Sequence, residues 1–298
     1  MSFRTTLRRL KYALSPALES LWRPLIGALS RTRGLAPDRW VSPGSHRVLV
    51  IAPHPDDEAI GCVGTLLRHI EAGDRVCVAI ATDGRRSRAV SDPDHMARLR
   101  RAESTMAAQL MRVERIEWLG LPEGGWSIAQ LSDALRGLLL ELRPDVIYAP
   151  SRVDFHPEHF AVAHSLALAL EAAGAAARTA TLRVYQVQVP LTATLTNLVA
   201  DVTPLRTRCD QVLRAYPSQA ASVACAYRLR RYGSLSVAGT EWLESYWQMP
   251  ATRYIELHRT SPADWPSVFR GLRTFPLSDP LAWLAGRAER RRLAALAG

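Results

Sequence analysis

Residues 48–63 read VLVIAPHPDDEAIGCV. The run Val48, Leu49, Val50, Ile51 and Ala52 is apolar at every position, the pattern of a strand buried on both faces. It stops at Pro53 in a burst of His54, Pro55, Asp56, Asp57 and Glu58, and apolar residues resume with helical spacing at Ala59, Ile60, Val63, Leu66, Leu67 and Ile70. The polar burst therefore occupies the turn between the carboxyl end of a strand and the amino end of a helix. An open α/β sheet places its chemistry there, and the helix dipole favours acids there. A plain turn also uses Pro and Asp, but His54 adds an imidazole three residues from Asp57. A nitrogen and an oxygen from that pair can be aimed at one point, and both suit Zn²⁺. A third ligand must come from elsewhere.

Outward from this stretch, strand and helix signals alternate. Arg75 to Ala81 predicts a second strand, ending in Thr82, Asp83 and Gly84 and followed by the basic loop Arg85, Arg86 and Arg88. A helix is expected over about 95–111, a short strand over 115–119 leading into Leu121-Pro122-Glu123-Gly124, a helix over 128–142 and a strand over 145–149. Four such repeats imply right-handed crossovers and a Rossmann-like, mostly parallel α/β sheet flanked by helices, with the active site at the carboxyl edge of the strands. There is no G-x-G-x-x-G after the first strand and no Walker loop, so neither a dinucleotide nor a nucleoside triphosphate site is indicated. The fourth strand runs into His156, Pro157, Glu158 and His159, which open a helix over about 160–172. This second His-bearing turn shares the sheet edge of His54.

Further along, 182–189 and 195–202 alternate like strands and suggest a hairpin or lid, and 253–258 reads as a last strand. Polar and aromatic residues mix around Tyr216–Gln219 and Gly239–Trp247, which suits a carbohydrate-stacking wall as well as plain packing. The span 286–298 reads as a basic, solvated tail. Domain boundaries are expected at a 1–45 extension, a 46–260 core and a 261–298 extension. Within the first of these, Leu7, Leu10, Leu14, Leu18, Leu21, Leu25 and Leu29 form a stripe flanked by arginines. Packing is the plainer reading of it, and peripheral attachment of residues 1–30 to an anionic membrane face the sharper one.

The 298 residues suffice for one large α/β domain with appendages. The formal charge of +10 is carried by arginine, with Lys11 the single lysine. It permits anionic partners, but no nucleic-acid module or interleaving of basic and stacking residues accompanies it. Cys62, Cys77, Cys209 and Cys225 are scattered, which suits free thiols in a reducing compartment better than disulfides or a zinc knuckle. No apolar run approaches the roughly 20 residues of a membrane span, and a cytoplasmic protein is expected, with any membrane contact peripheral at the inner face.

Taken together, Pro53-His54-Pro55-Asp56-Asp57-Glu58 and His156-Pro157-Glu158-His159 resemble the PIG-L, or LmbE-like, family of zinc-dependent N-deacetylases. Weaker agreement runs through Thr82-Asp83-Gly84, Glu103, Pro122-Glu123-Gly124, Asp201-Val202-Thr203, Tyr216-Pro217-Ser218-Gln219 and Glu241. The resemblance implies one Zn²⁺ held by His54, Asp57 and His159, Asp56 as general base and His156 as stabiliser of the oxyanion. It also implies an N-acetylglucosamine-type substrate, and Arg85, Arg86 and Arg88, at a strand end on the same sheet edge, suggest that this sugar is joined to a larger lipid, nucleotide or glycan carrier. Chemistry agrees with these roles: three ligands with an open fourth position make a hydrolytic zinc site, and a carboxylate beside a ligand can accept a water proton. Family members often follow Thr-x-Gly with an acid and a glycine, where this chain has Arg85, Arg86 and Ser87. Those guanidinium groups could pair with a phosphate. The competing readings are a two-metal phosphoesterase and a non-catalytic sugar-binding protein. The sequence leaves the oligomeric state open.

Overall fold

The computed structural model describes Ser20, Pro24 and residues 38–40, 44–87, 89–235, 237, 239–261, 264–270 and 284–297. The leucine stripe of the first 30 residues and Arg88 lie outside the described residues.

Strand β2 (Arg47–Ala52) is buried from Val48 onward and is the middle one of five neighbouring parallel strands in an eight-stranded sheet. Its side chains alternate between two cores. Leu49 and Ile51 meet helices α3 (Ile128–Leu142) and α4 (Pro157–Ala173), while Val48, Val50 and Ala52 meet α1 (Asp57–Glu71) and α2 (Pro93–Met111). With β1 (Asp38–Arg39), β3 (Arg75–Thr82), β4 (Arg115–Leu121), β5 (Val146–Pro150), β6 (Thr181–Tyr185), β7 (Leu198–Asp201) and β8 (Leu243–Pro250), the order is β1-β7-β8-β6-β5-β2-β3-β4. Strands β6, β5, β2, β3 and β4 run parallel, giving the Rossmann-like sheet expected from the alternating pattern.

This order fixes the place of the chemistry. From β2 the chain winds outward through β3 to β4, then returns to pair β5 with the other side of β2. The crevice outside the carboxyl ends of β2 and β5 is therefore the topological switch point. The two His-bearing turns follow those two strands.

Four expectations need correction. The 182–189 and 195–202 segments do not form a hairpin: β6 and β7 are separated by β8, which pairs antiparallel with both. The 253–258 segment is part of helix α5 (Ala251–Thr260), whose buried residues Ala251, Tyr254, Ile255 and His258 follow helical spacing once Ala251 is included. The mixed 239–247 stretch contains the start of β8, buried on both faces, with Trp242, Tyr246 and Trp247 in the cores and Glu244 bonded to Arg230 and Thr65. Tyr216 is buried too, so these aromatic faces are packed and not offered to a sugar. The tail contains helix α6 (Arg287–Ala297), with Leu293 fully buried and Arg290 donating to the Pro190 carbonyl. The buried face includes an arginine, Arg290, beside Leu293, so its composition reads as solvated.

Candidate active site

Helix α1 begins at Asp57, directly after β2, so its first residue hangs over the switch point. Asp57 Oδ2 accepts the His54 backbone N–H at 2.9 Å and lies 3.1 Å from His54 Nδ1 and 3.3 Å from His159 Nε2. His159 Nε2 and His54 Nδ1 are 3.3 Å apart. Three atoms of types that can ligate a metal thus form a nearly equilateral triangle. Two ligands of a tetrahedral zinc bound at about 2.0–2.1 Å are separated by about 3.3 Å, so this donor set fits the ion without rearrangement.

The outer nitrogens of both rings are also committed. His54 Nε2 lies 2.7 Å from Glu158 Oε2. A carboxylate only accepts, so Nε2 carries the proton and Nδ1 is left to face the cluster. Glu158 is held in turn by the Gly124 N–H at 2.7 Å and Trp126 Nε1 at 2.8 Å. His159 Nδ1 lies 3.1 Å from Asp154 Oδ1, an ion-pair contact without full hydrogen-bond alignment.

His156 also reaches the cluster, with a ring nitrogen that lies within 4.8 Å of the ligating atoms of His54 and His159. Its proton placement argues for a different role. His156 is the N-cap of α4, and its Nδ1 accepts the Glu158 N–H at 3.3 Å. A neutral imidazole that accepts at Nδ1 carries its proton on Nε2. It therefore presents a donor to the cavity, not a lone pair, and burial together with the two neighbouring histidines pushes its pKa down to about 2, keeping it neutral.

Asp56 has φ 155° and ψ −22°, a backbone conformation rarely adopted by an L-residue. Four contacts hold it there. Its N–H donates to the His54 carbonyl at 3.0 Å and Glu58 Oε2 at 3.1 Å, its carboxylate pairs with buried Arg100, and Arg100 also donates to the Pro55 carbonyl at 2.9 Å. Glu58 is itself fixed by Ser104 and Tyr216. Room for Arg100 depends on Gly84, at φ +66°, where a Cβ would lie 2.6 Å from Nη1. Burial lifts the Asp56 carboxyl to about 7, against the pull of Arg100. His54 moves to about 9: burial opposes its charge, but the bonds to Asp57 and Glu158 prevail. Asp57 is held well below the usual carboxylate range because the charges and hydrogen bonds of His159 and His54 outweigh its burial.

His54, Asp56, Asp57, His156 and His159 line one cavity of about 360 Å³, with Arg86, Ser87, Arg100, Glu123, Gln188, Gln219 and Ser222 completing the wall. The structure thus brings together all five residues singled out in the sequence. It adds Arg100, Glu158 and Glu123, whose partners Asp56, His54 and Arg86 lie more than 30 residues away and leave no local spacing signal, and Asp154, which faces His159 five residues on. A second cavity, of about 350 Å³, opens at the opposite edge of the sheet. Its arginines Arg47, Arg75 and Arg115 are each paired with a carboxylate, and no imidazole reaches it.

Fold and cavity define a class: an open, mostly parallel α/β protein whose switch-point crevice is lined by metal-ligating side chains. Residues 49–170 match the family model described as PIG-L, GlcNAc-PI de-N-acetylase, so over that span the chain is similar to the PIG-L, LmbE-like family. It is 29% identical over 133 residues to a probable N-acetyl-α-D-glucosaminyl L-malate deacetylase 2 of Bacillus subtilis, covering 41% of this chain and 60% of the relative. Over 84 residues it is 34% identical to a 1D-myo-inositol 2-acetamido-2-deoxy-α-D-glucopyranoside deacetylase of Kineococcus radiotolerans, covering 26% of this chain and 23% of the relative. The chain thus spans less than two thirds of either relative. Its fold is similar to that of the N,N'-diacetylchitobiose deacetylase of Pyrococcus horikoshii, with a TM-score of 0.59 and 20% identity over 85% of this chain and 95% of that one.

Proposed function

We propose that this protein is a zinc-dependent hydrolase that removes the N-acetyl group from an N-acetylglucosamine-type amino sugar joined to a larger carrier. The observation that carries the proposal is the triangle of His54 Nδ1, Asp57 Oδ2 and His159 Nε2, with edges of 3.1–3.3 Å, in one cavity with Asp56 and His156. Relatives named as deacetylases of glucosaminyl malate and of an inositol glucosaminide support the substrate class. When bound, zinc would supply a Lewis acid that polarises the amide carbonyl and brings the pKa of water to about 7.

The chain's own residues supply the rest. Asp56, whose carboxylate pairs with Arg100, accepts the proton of the attacking water and can return it to the departing amine. The Nε2–H of His156 offsets the charge that develops on the carbonyl oxygen. Glu158 keeps His54 in the ligating tautomer, and Asp154 does the same for His159. Products are acetate and the free amino sugar. A two-metal phosphoesterase would need further carboxylate ligands, and Glu158 is already engaged by three donors.

Metal analysis of purified, zinc-loaded protein tests the ligand assignment. About one equivalent is expected, and it should be lost when His54, Asp57 and His159 are all changed to Ala. Stoichiometric retention in that variant would refute the assignment. Among the described residues no helix is long and apolar enough to cross a membrane.

A further inference from the structure

The loop after β3 carries three arginines, and two of them are described. Arg85 is neutralised locally: its Nε donates to Asp83 Oδ2 at 2.7 Å, and its Nη1 lies 3.5 Å from Asp94. Arg86 is placed differently. Its backbone N–H donates to Glu123 Oε2 at 2.7 Å, fixing this loop against the Pro122–Gly125 turn. Its side chain lies across Gly124, so close that a Cβ there would meet Nη1 at 2.2 Å. Gly124 sits at φ +77°, so that position needs glycine both for its backbone and for the guanidinium above it.

Arg86 is exposed at the wall of the cavity that contains His54, Asp57 and His159. Among the described residues no carboxylate lies within 4.0 Å of its guanidinium. The other arginine of the wall, Arg100, is buried and committed to Asp56. Among the described residues the cavity thus presents one uncommitted arginine, on its solvent-exposed wall. A guanidinium bonds a carboxylate or phosphate about twice as strongly as a neutral oxygen, and often through two parallel bonds.

We infer that Arg86 is a specificity-determining residue that selects amino-sugar conjugates whose aglycone carries a carboxylate or phosphate. This rests on the deacetylase reading above and narrows its substrate class. The test uses the full-length zinc-loaded protein and three N-acetylglucosamine probes. One is a neutral methyl glycoside, one bears phosphate at the anomeric oxygen, and one bears a dicarboxylic acid there.

Wild type should favour one or both anionic probes, with a preference that shrinks as salt is raised. Arg86→Gln should lower kcat/KM for the favoured anionic probe about 10-fold or more, mainly through KM. The neutral glycoside should stay within about twofold, and Arg86→Lys should recover part of the loss. The two anionic arms tell carboxylate from phosphate recognition. An equal change for neutral and anionic probes, or no change for either, overturns the inference. If wild type releases acetate from none of the three, the deacetylase reading fails instead. Calorimetric binding of the anionic probes then decides the role of Arg86: weaker binding to Arg86→Gln supports it, and equal binding overturns it.

Discussion

Arg100→Gln should move the acid limb of the pH–rate profile upward. Arg100 is 4% exposed, and its guanidinium pairs with Asp56 while also holding the Pro55 carbonyl. Burial lifts the Asp56 pKa and the Arg100 charge opposes that lift, so removing the charge raises the pKa further. An arginine at contact distance lowers a carboxylate pKa by about 1–3 units. As the proposed base, Asp56 must be unprotonated to act, so activity is lost as pH falls through its pKa. The midpoint of that loss should therefore shift up by about 1–3 pH units in the variant. At neutral pH, where a base with a pKa of about 7 is half unprotonated, the rate should drop by about 5- to 500-fold and recover as pH rises, because well below the pKa each unit of displacement is tenfold in the active fraction. The assay is kcat/KM for acetate release from about pH 5 to 10 with zinc in place. A rate lowered by one factor at every pH, with an unmoved midpoint, would refute this link between Arg100 and Asp56.

Asp56→Asn should retain zinc and lose about 100-fold or more in kcat, and His156→Ala should lose about 100-fold through the missing oxyanion donor; kcat near wild type in either variant contradicts its role. Zinc affinity, measured by competition with a chelator, should strengthen as pH rises towards 9, because His54 must shed a proton that Asp57 and Glu158 stabilise; affinity flat between pH 6 and 9 would show that no such proton is displaced. Phe269 is fully buried, with its ring 6.0 Å from Phe155. Phe269→Ala should lower unfolding stability by about 3–5 kcal/mol in a denaturant titration, whereas an unchanged midpoint would mean that this C-terminal segment does not pack as described.

The parallel half of the sheet was legible because its strands are short apolar runs closed by turn residues, and the helices between them keep their period. The site residues were legible for a related reason. His54 and Asp57 share one turn, His156 and His159 share another, and each turn follows a strand of the same sheet. What the sequence hid depends on tertiary partners. Glu244 reads as a surface acid until Arg230 and the Thr65 hydroxyl surround it, so the sequence of β8 suits a carbohydrate-stacking wall as readily as packing. Arg100 reads as the solvated face of a helix until the Gly84 turn opens a path to Asp56. The 253–258 window is too short to separate period 2 from 3.6, and extending it back to Ala251 resolves the helix. Of the three loop arginines, the contacts of Asp83 and Asp94 with Arg85 leave Arg86 the uncommitted one of the two described.

The central claim is tested most directly by following acetate and free amine when an N-acetylglucosamine conjugate is mixed with zinc-loaded, chelator-treated and zinc-restored protein. The account predicts equal amounts of the two products, loss of both on chelation, and recovery of both with zinc. Acetate release that survives complete removal of the metal, or release of phosphate from a phosphorylated conjugate in place of acetate, would contradict it.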